Sequence, residues 1–260
     1  MRPALARSQY DVAGRTVFVT GAARGIGAAT AARLHAAGAN VALVGLEPDL
    51  LDRLAARLGD RAIALHADVT NLDALERAVR ATVARFGAID VAIANAGIHY
   101  IGSLASAPVE QVERALEVNL MGVWRTNRAV IEQIVQQRGY LLNIASLAAI
   151  NHSPLMGPYA ASKAGVEALT DSLRVETAPT GARVGCAYFG FIDTDLVRGS
   201  FAHPSSRVMT KVLPSFVAKP APLAAAVDAI ERGIRRRSAR IWAPRFVGPA
   251  LVLRGVLQPL

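Results

Sequence analysis

Tyr159 and Lys163 stand four residues apart in Tyr159-Ala160-Ala161-Ser162-Lys163, and Ser146 lies thirteen positions upstream. The surrounding segment, GPYAASKAGVEALTDSLRVE, repeats small and apolar residues at helical period. On a helix, an i, i+4 spacing puts a phenol and an ammonium on one face. A tyrosine with an ordinary pKa near ~10 moves protons poorly at neutral pH, and a neighbouring cation favours its phenolate. Reaching the working range takes several kcal/mol of favourable field, at about 1.4 kcal/mol for each tenfold change. An exposed Tyr–Lys pair occurs on many helices by chance, so the other half of the chemistry has to be found elsewhere in the chain.

The elements that position such a pair start near the beginning of the sequence. Arg15-Thr16-Val17-Phe18-Val19-Thr20 is a β-branched, apolar run of the kind that forms a buried parallel strand. It leads into Thr20-Gly21-Ala22-Ala23-Arg24-Gly25-Ile26-Gly27 and then an alanine-rich helix that ends near Gly38. Strand, glycine turn and helix together present backbone N–H groups and a helix N-terminus to a pyrophosphate. Gly21 permits the tight turn, Gly25 close approach of phosphates, and Gly27 close packing of helix on strand. The spacing is Gly-x-x-x-Gly-x-Gly rather than Gly-x-Gly-x-x-Gly.

Strands are predicted near 15–20, 40–45, 61–67, 89–95, 139–145, 182–188 and 239–243. Helical patterns separate them at 25–38, 48–58, 71–86, 108–137, 157–177 and 221–237. This alternation predicts an α/β fold built from right-handed βαβ units, with about seven parallel strands and helices on both faces. Ligands bind such sheets at the strand C-termini, next to a topological switch point. Every chemically interesting residue above falls on that rim.

Composition bounds the remaining possibilities. The chain has 260 residues and 52% hydrophobic content, enough for one substantial core, with no repeat or linker that divides it. We expect one domain over 1–260, with a short N-terminal tail (1–13) and an apolar C-terminal tail (244–260). Cys186 is the one cysteine; it sits in an apolar run and reads as a buried thiol in a reducing compartment. No leader or membrane-spanning stretch is evident, so a cytoplasmic location is expected. The net charge is +9, and its densest basic cluster is Arg232–Arg240. That run reads as the solvated end of an amphipathic helix, without the aromatic platform a nucleic-acid site needs.

With these residues in hand, the chain resembles the short-chain dehydrogenase/reductase family in its compact, single-domain branch, from about Gly14 to the Ala243 region. The resemblance rests on five motifs in family order: the glycine turn, Asp68, Asn95-Ala96-Gly97, Asn119, and Ser146 with Tyr159 and Lys163. It implies a Rossmann-like doubly wound sheet and an NAD(P)-dependent oxidoreductase. By resemblance, Tyr159 is the general acid for carbonyl reduction and the base for alcohol oxidation. Lys163 lowers its pKa and bonds the nicotinamide ribose, while Ser146 orients the substrate oxygen. Asn119 marks a local kink and holds a water that links Lys163 to solvent. The implied cofactor contacts are Gly21, Arg24, Gly25, Ile26, Gly27, Asp68, Val69, Asn95, Ala96, Gly97, Tyr159, Lys163, Ile192 and Thr194. Asp68 also has a purely structural reading as a helix cap, for which Thr70 or Asn71 is better placed. The family's Pro-Gly before the Ile192 loop is Phe189-Gly190 here.

The end of the second strand carries Gly45, where NAD-dependent relatives have a carboxylate. Arg24 could pair with a 2′-phosphate, which favours NADP(H) over NAD(H), although Leu46 and Glu47 are not the partners expected for it. The substrate pocket is expected to use Ser146, His99, Leu147, His152, Leu155, Met156 and Phe191, with Leu196 and Phe201 nearby. That mostly apolar set suits a bulky apolar ketone, aldehyde or secondary alcohol, steroid-like or retinoid-like molecules among them. Neither histidine has the companions of a metal site. The tail Pro244–Leu257 packs on a neighbouring subunit of a homodimer or homotetramer, or lies at a membrane interface, the first reading being favoured. A non-catalytic nucleotide-binding scaffold is the alternative function, and a nucleotide-sugar epimerase is disfavoured by the glycine spacing.

Overall fold

In a computed structural model, the described residues are 9–202 and 214–257. Seven parallel strands form one sheet in the order β3-β2-β1-β4-β5-β6-β7. They are β1 (Thr16–Thr20), β2 (Asn40–Gly45), β3 (Ala62–His66), β4 (Val91–Ala94), β5 (Tyr140–Ile144), β6 (Arg183–Phe189) and β7 (Arg240–Ala243). The order reverses between β1 and β4, so a crevice opens beyond their C-terminal ends.

Strand residues alternate between two cores. Val17, Val19, Val41 and Leu43 face one side with Leu34 of helix α1 (Gly25–Ala36) and Leu51 of α2 (Pro48–Leu58). Phe18, Ala42 and Val44 face the other with Leu75 of α3 (Leu72–Phe86). Both faces are dry, which is why these strands read as continuous apolar runs. Phe18, Leu34, Leu43 and Leu51 are fully buried, so truncation of any one to alanine costs about 2–5 kcal/mol.

The predicted helix at 108–137 is broken. It runs as α4 (Val109–Leu116), a π-helical turn (Glu117–Met121) and α5 (Gly122–Gln136), with Asn119 inside the π turn. Helix α6 (Gly157–Thr177) carries Tyr159 and Lys163. Beyond β6 come α7 (Asp195–Ala202), α8 (Ser215–Ala218) and α9 (Leu223–Arg236), and α10 (Val247–Leu257) follows β7.

Both tails differ from expectation. Val12 is fully buried and the Tyr10 N–H donates to the Arg235 carbonyl at 2.7 Å, so the first segment joins the core before residue 13. The C-terminal segment folds onto its own chain: Val247 and Leu251 of α10 are buried with Val166, Cys186 and Tyr188. Arg254 reaches Glu167 on α6 at 2.8 Å, and the Tyr188 hydroxyl donates to the same carboxylate at 2.8 Å. Helix α10 forms despite its glycines because Pro249 lies in its first turn, where a missing N–H costs nothing. The reading of this tail as a contact for another subunit or a membrane left out this intramolecular role. No helix among the described residues is long and apolar enough to cross a membrane.

Candidate active site

The glycine turn is built as its spacing predicts. Gly21 has φ +63°, and a Cβ there would lie 2.8 Å from the Ala96 Cα. A Cβ on Gly27 would meet the Gly21 carbonyl oxygen at 2.2 Å. Helix α1 starts at Gly25 with no side chain capping its N-terminus and no acid in its first turn. Its first N–H groups thus remain open for an anion. Asn95 fixes the turn from β4, its amide donating to the carbonyls of Thr20 and Gly21 at 3.0 and 3.2 Å.

A cavity of about 520 Å³ runs from this turn along the strand ends. Gly21, Arg24, Gly25, Ile26, Asn95, Ala96, Gly97, Ile192 and Thr194 line it, as expected from sequence, together with Ser146, Tyr159 and Lys163. Gly27 supports the turn from behind. Asp68 and Val69 do not line this cavity. The Asp68 carboxylate accepts from the Thr70 N–H at 2.8 Å, whereas Asn71 caps α3 by accepting from Ala74. Val69 is buried against Gly122, where a Cβ would come within 2.7 Å of it. At the cavity edge Arg24 pairs with Glu47 at 2.8 Å, both side chains being about half exposed. Sequence reading placed Glu47 near this region but not as Arg24's partner.

A second cavity, about 510 Å³ and chiefly apolar, opens on the far side of Tyr159. His99, Ser146, Leu147, Met156, Phe191 and Leu196 line it as expected. His152 and Leu155 do not: His152 is exposed, and Leu155 adopts φ +67° in the turn before α6, with its carbonyl accepting from Gly102. Phe201 stacks on Phe191 with ring centres 5.0 Å apart, behind the lining. The sequence reading missed Phe246, Pro249, Ala250 and Leu253, which form another wall. Their i, i+3, i+4, i+7 spacing is the helical signal that would have found them.

Ser146 and Tyr159 belong to both cavities and mark their junction. The Ser146 hydroxyl donates to the Phe189 carbonyl at 3.3 Å and accepts from the Ala148 N–H at 3.1 Å. Lys163 is almost wholly buried, its Nζ donating to the Ile144 carbonyl at 2.9 Å and lying 5.8 Å from the centre of the Tyr159 ring. Burial lowers the Lys163 pKa to about 8, partly opposed by the nearby Cys186 thiol.

One expectation is corrected here. Burial raises the Tyr159 pKa, and only a hydrogen bond with Ser146 pulls it down. The Lys163 ammonium bonds the carbonyl at the end of β5 and is not among the causes of that shift.

Asn119 is fully buried. Its Oδ1 accepts from the Ile98 N–H at 2.8 Å, and its Nδ2 donates to the Ile98 carbonyl at 2.9 Å and to Ser162 at 3.3 Å. It therefore clamps the loop after β4 to α6. A Cβ on Gly97 would sit 3.1 Å from Asn119 Oδ1 and 3.6 Å from Lys163 Nζ, so a side chain there would crowd the Asn119 amide.

Comparison with known proteins agrees with this geometry. A family profile described as short chain dehydrogenase matches residues 15–205. The chain is 34% identical to 3beta-hydroxysteroid dehydrogenase 1 of Eggerthella lenta, over 83% of this chain and 86% of that one. It is 33% identical to trans-4-hydroxycyclohexanecarboxylate dehydrogenase of Sinomonas cyclohexanicum, covering 75% and 79%. Among solved structures, levodione reductase superposes with a TM-score of 0.81 at 27% identity, covering 92% of this chain and 98% of that one. A Burkholderia phymatum short chain dehydrogenase/reductase in complex with NAD shares the fold, with a TM-score of 0.83 at 22% identity over 96% and 97%.

Proposed function

The chain belongs to the short-chain dehydrogenase/reductase family, enzymes that act on CH–OH and C=O groups with NAD(P), and on that premise we propose its substrate, its roles and its cofactor preference. The substrate is a bulky, apolar secondary alcohol or the corresponding ketone. The observation that carries this reading is the junction of the two cavities at Ser146 and Tyr159, one backbone-lined and one apolar. The names of the two relatives, a hydroxysteroid and a hydroxycyclohexanecarboxylate dehydrogenase, favour cyclic secondary alcohols.

The open N-terminus of α1 and the glycine cradle fit a dinucleotide's pyrophosphate. When bound, NAD(P)(H) supplies or accepts the hydride. This chain's residues manage the oxygen and its proton. Ser146 bonds the substrate oxygen and holds it against Tyr159. The phenol, kept protonated by burial, donates its proton as a carbonyl is reduced and recovers it in the reverse direction. Lys163 bonds the nicotinamide ribose and holds positive charge beside the phenolate that forms. Asn119 is a positioning residue, which fixes the loop next to Lys163 and orders the route from Lys163 to solvent.

NADP(H) is the favoured cofactor. Gly45 leaves no carboxylate at the end of β2, and Arg24 stands at the cavity edge where a 2′-phosphate can draw it from Glu47. The protein works in the cytoplasm as a homo-oligomer.

A panel of cyclic ketones and alcohols, assayed with both cofactors and with Tyr159→Phe as control, tests the reading. Turnover of apolar members with NADPH, lowered about 10²–10⁴-fold in the variant, is expected. Unchanged turnover in the variant removes the assigned mechanism. Equal or better efficiency with NADH reverses the cofactor assignment and gives Glu47 the ribose.

A further inference from the structure

His99 follows β4 and reaches the apolar cavity beside Tyr159, with ring centres 4.7 Å apart and planes tilted by 48°. Its Nδ1 lies 2.9 Å from the Ser200 hydroxyl on α7. That hydroxyl also lies 2.8 Å from the Leu196 carbonyl one turn back, which can only accept, and a helical serine commonly gives its proton to that carbonyl. With its proton given there, Ser200 accepts from His99, an arrangement with the imidazole proton on Nδ1 and Nε2 as a lone-pair acceptor. Burial, reinforced by the charge of Lys163, lowers the His99 pKa to about 4, so the ring stays neutral. Nε2 bonds no described residue, and His99 lines the cavity.

Among the other polar side chains around this cavity, Ser146 and Tyr159 serve the reacting oxygen, and Ser153 donates to the Asn151 side-chain oxygen at 3.1 Å. An unmatched acceptor in an otherwise apolar pocket favours a ligand that brings a donor and disfavours one that leaves the acceptor dry.

We propose that His99 Nε2 accepts a hydrogen bond from a hydroxyl that the substrate carries next to its reacting carbon, so that the preferred substrates are bulky α-hydroxy ketones and the 1,2-diols derived from them. His99 stands beside Tyr159, with ring centres 4.7 Å apart, so the hydroxyl it would bond is placed on the carbon adjacent to the reacting one. The charge of Lys163 disfavours an ammonium in its place. This inference rests on the site reading above and refines its substrate class.

Reduction of benzoin, benzoin methyl ether and deoxybenzoin tests it, since the three differ at one position of the same skeleton. The methyl ether keeps the α-oxygen and removes only its proton. We expect kcat/KM for benzoin to exceed that for the ether roughly tenfold. In His99→Phe, which keeps an aromatic ring beside Tyr159, the ratio falls to about one. A ratio near one in the wild type, or a preserved ratio in the variant, overturns the proposal. If none of the three is reduced with either cofactor, the reading of the site as a reductase of bulky apolar ketones fails, and the inference falls with it. A nitrogen NMR spectrum of the histidine side chains supplies an independent measurement on the wild type: a proton on Nδ1 of His99 is expected, and a proton on Nε2 overturns the assignment.

Discussion

The two cavities that meet at Tyr159 are nearly equal in volume, about 520 and 510 Å³, yet they are made in different ways. The first runs along the C-terminal ends of strands, where Gly21, Gly25, Asn95, Ala96 and Gly97 let a ligand approach the main chain between larger side chains such as Arg24, Ile192 and Lys163. The second is lined by side chains from segments far apart in sequence, from His99 to Leu253. The glycine turn tolerates few substitutions, because a Cβ on Gly21 or Gly27 would meet main-chain atoms. A surface made of side chains can be reshaped while the sheet below it stays intact. Substrate choice can therefore change with the second cavity while the chemistry of the first is retained.

Lys163 belongs to the first cavity and provides the largest test of the contrast. Its folded-state pKa of about 8 lies below the ordinary lysine value, so burying the charged form destabilises the fold at and below pH 8. The cost is about 3 kcal/mol at neutral pH. As pH rises from about 8 toward ~10.5, the folded protein has released this proton while the unfolded chain still binds it, and the cost is relieved. Urea titrations of wild type and Lys163→Met at neutral pH and near the upper end of that window should show the wild type gaining about 2 kcal/mol relative to the variant. No relative gain would mean that the ammonium is better solvated than its burial implies.

Gly27→Ala probes the backbone-built side. The new Cβ would collide with the Gly21 carbonyl, and relieving the clash should cost about 1–3 kcal/mol. Calorimetry and cofactor titration should show a lower Tm and weaker nucleotide binding together. A normal cofactor Kd would show that the turn adapts more than its geometry suggests.

Ala250→Phe makes the opposite test on the side-chain-built cavity. Filling the α10 wall should lower kcat/KM for a bulky ketone by about ten- to a hundredfold. Small cyclic ketones and the cofactor Kd should change little. Equal losses for large and small ketones would place the wall outside the substrate's path.

The same contrast explains how much could be read without coordinates. The glycine turn, Asn95-Ala96-Gly97 and the Tyr159–Lys163 helix were legible because their geometry is local: a strand, a tight turn and a helical period place the atoms. Asn119 was legible as a break, since a buried asparagine within a helical pattern disturbs its backbone bonding, and the π turn is found there. His152 and Leu155 were misplaced because Asn151, Ser153 and Met156 of the same loop face the cavity instead, while His152 is exposed and Leu155 takes a left-handed turn. Helix α10 was hidden by Gly248, Pro249 and Gly255, which lower its intrinsic helical tendency, although packing on β6 and α6 decides the outcome.

Sequence by itself determined the sheet, the cradle for a dinucleotide and the residues that can handle a proton, because each follows from the chain's local periodicity and turn chemistry. Tertiary structure alone decided which way the Lys163 ammonium points, that burial raises the Tyr159 pKa, and that α10 walls the apolar cavity. Those properties depend on desolvation and on contacts between residues scores of positions apart, which no local pattern encodes.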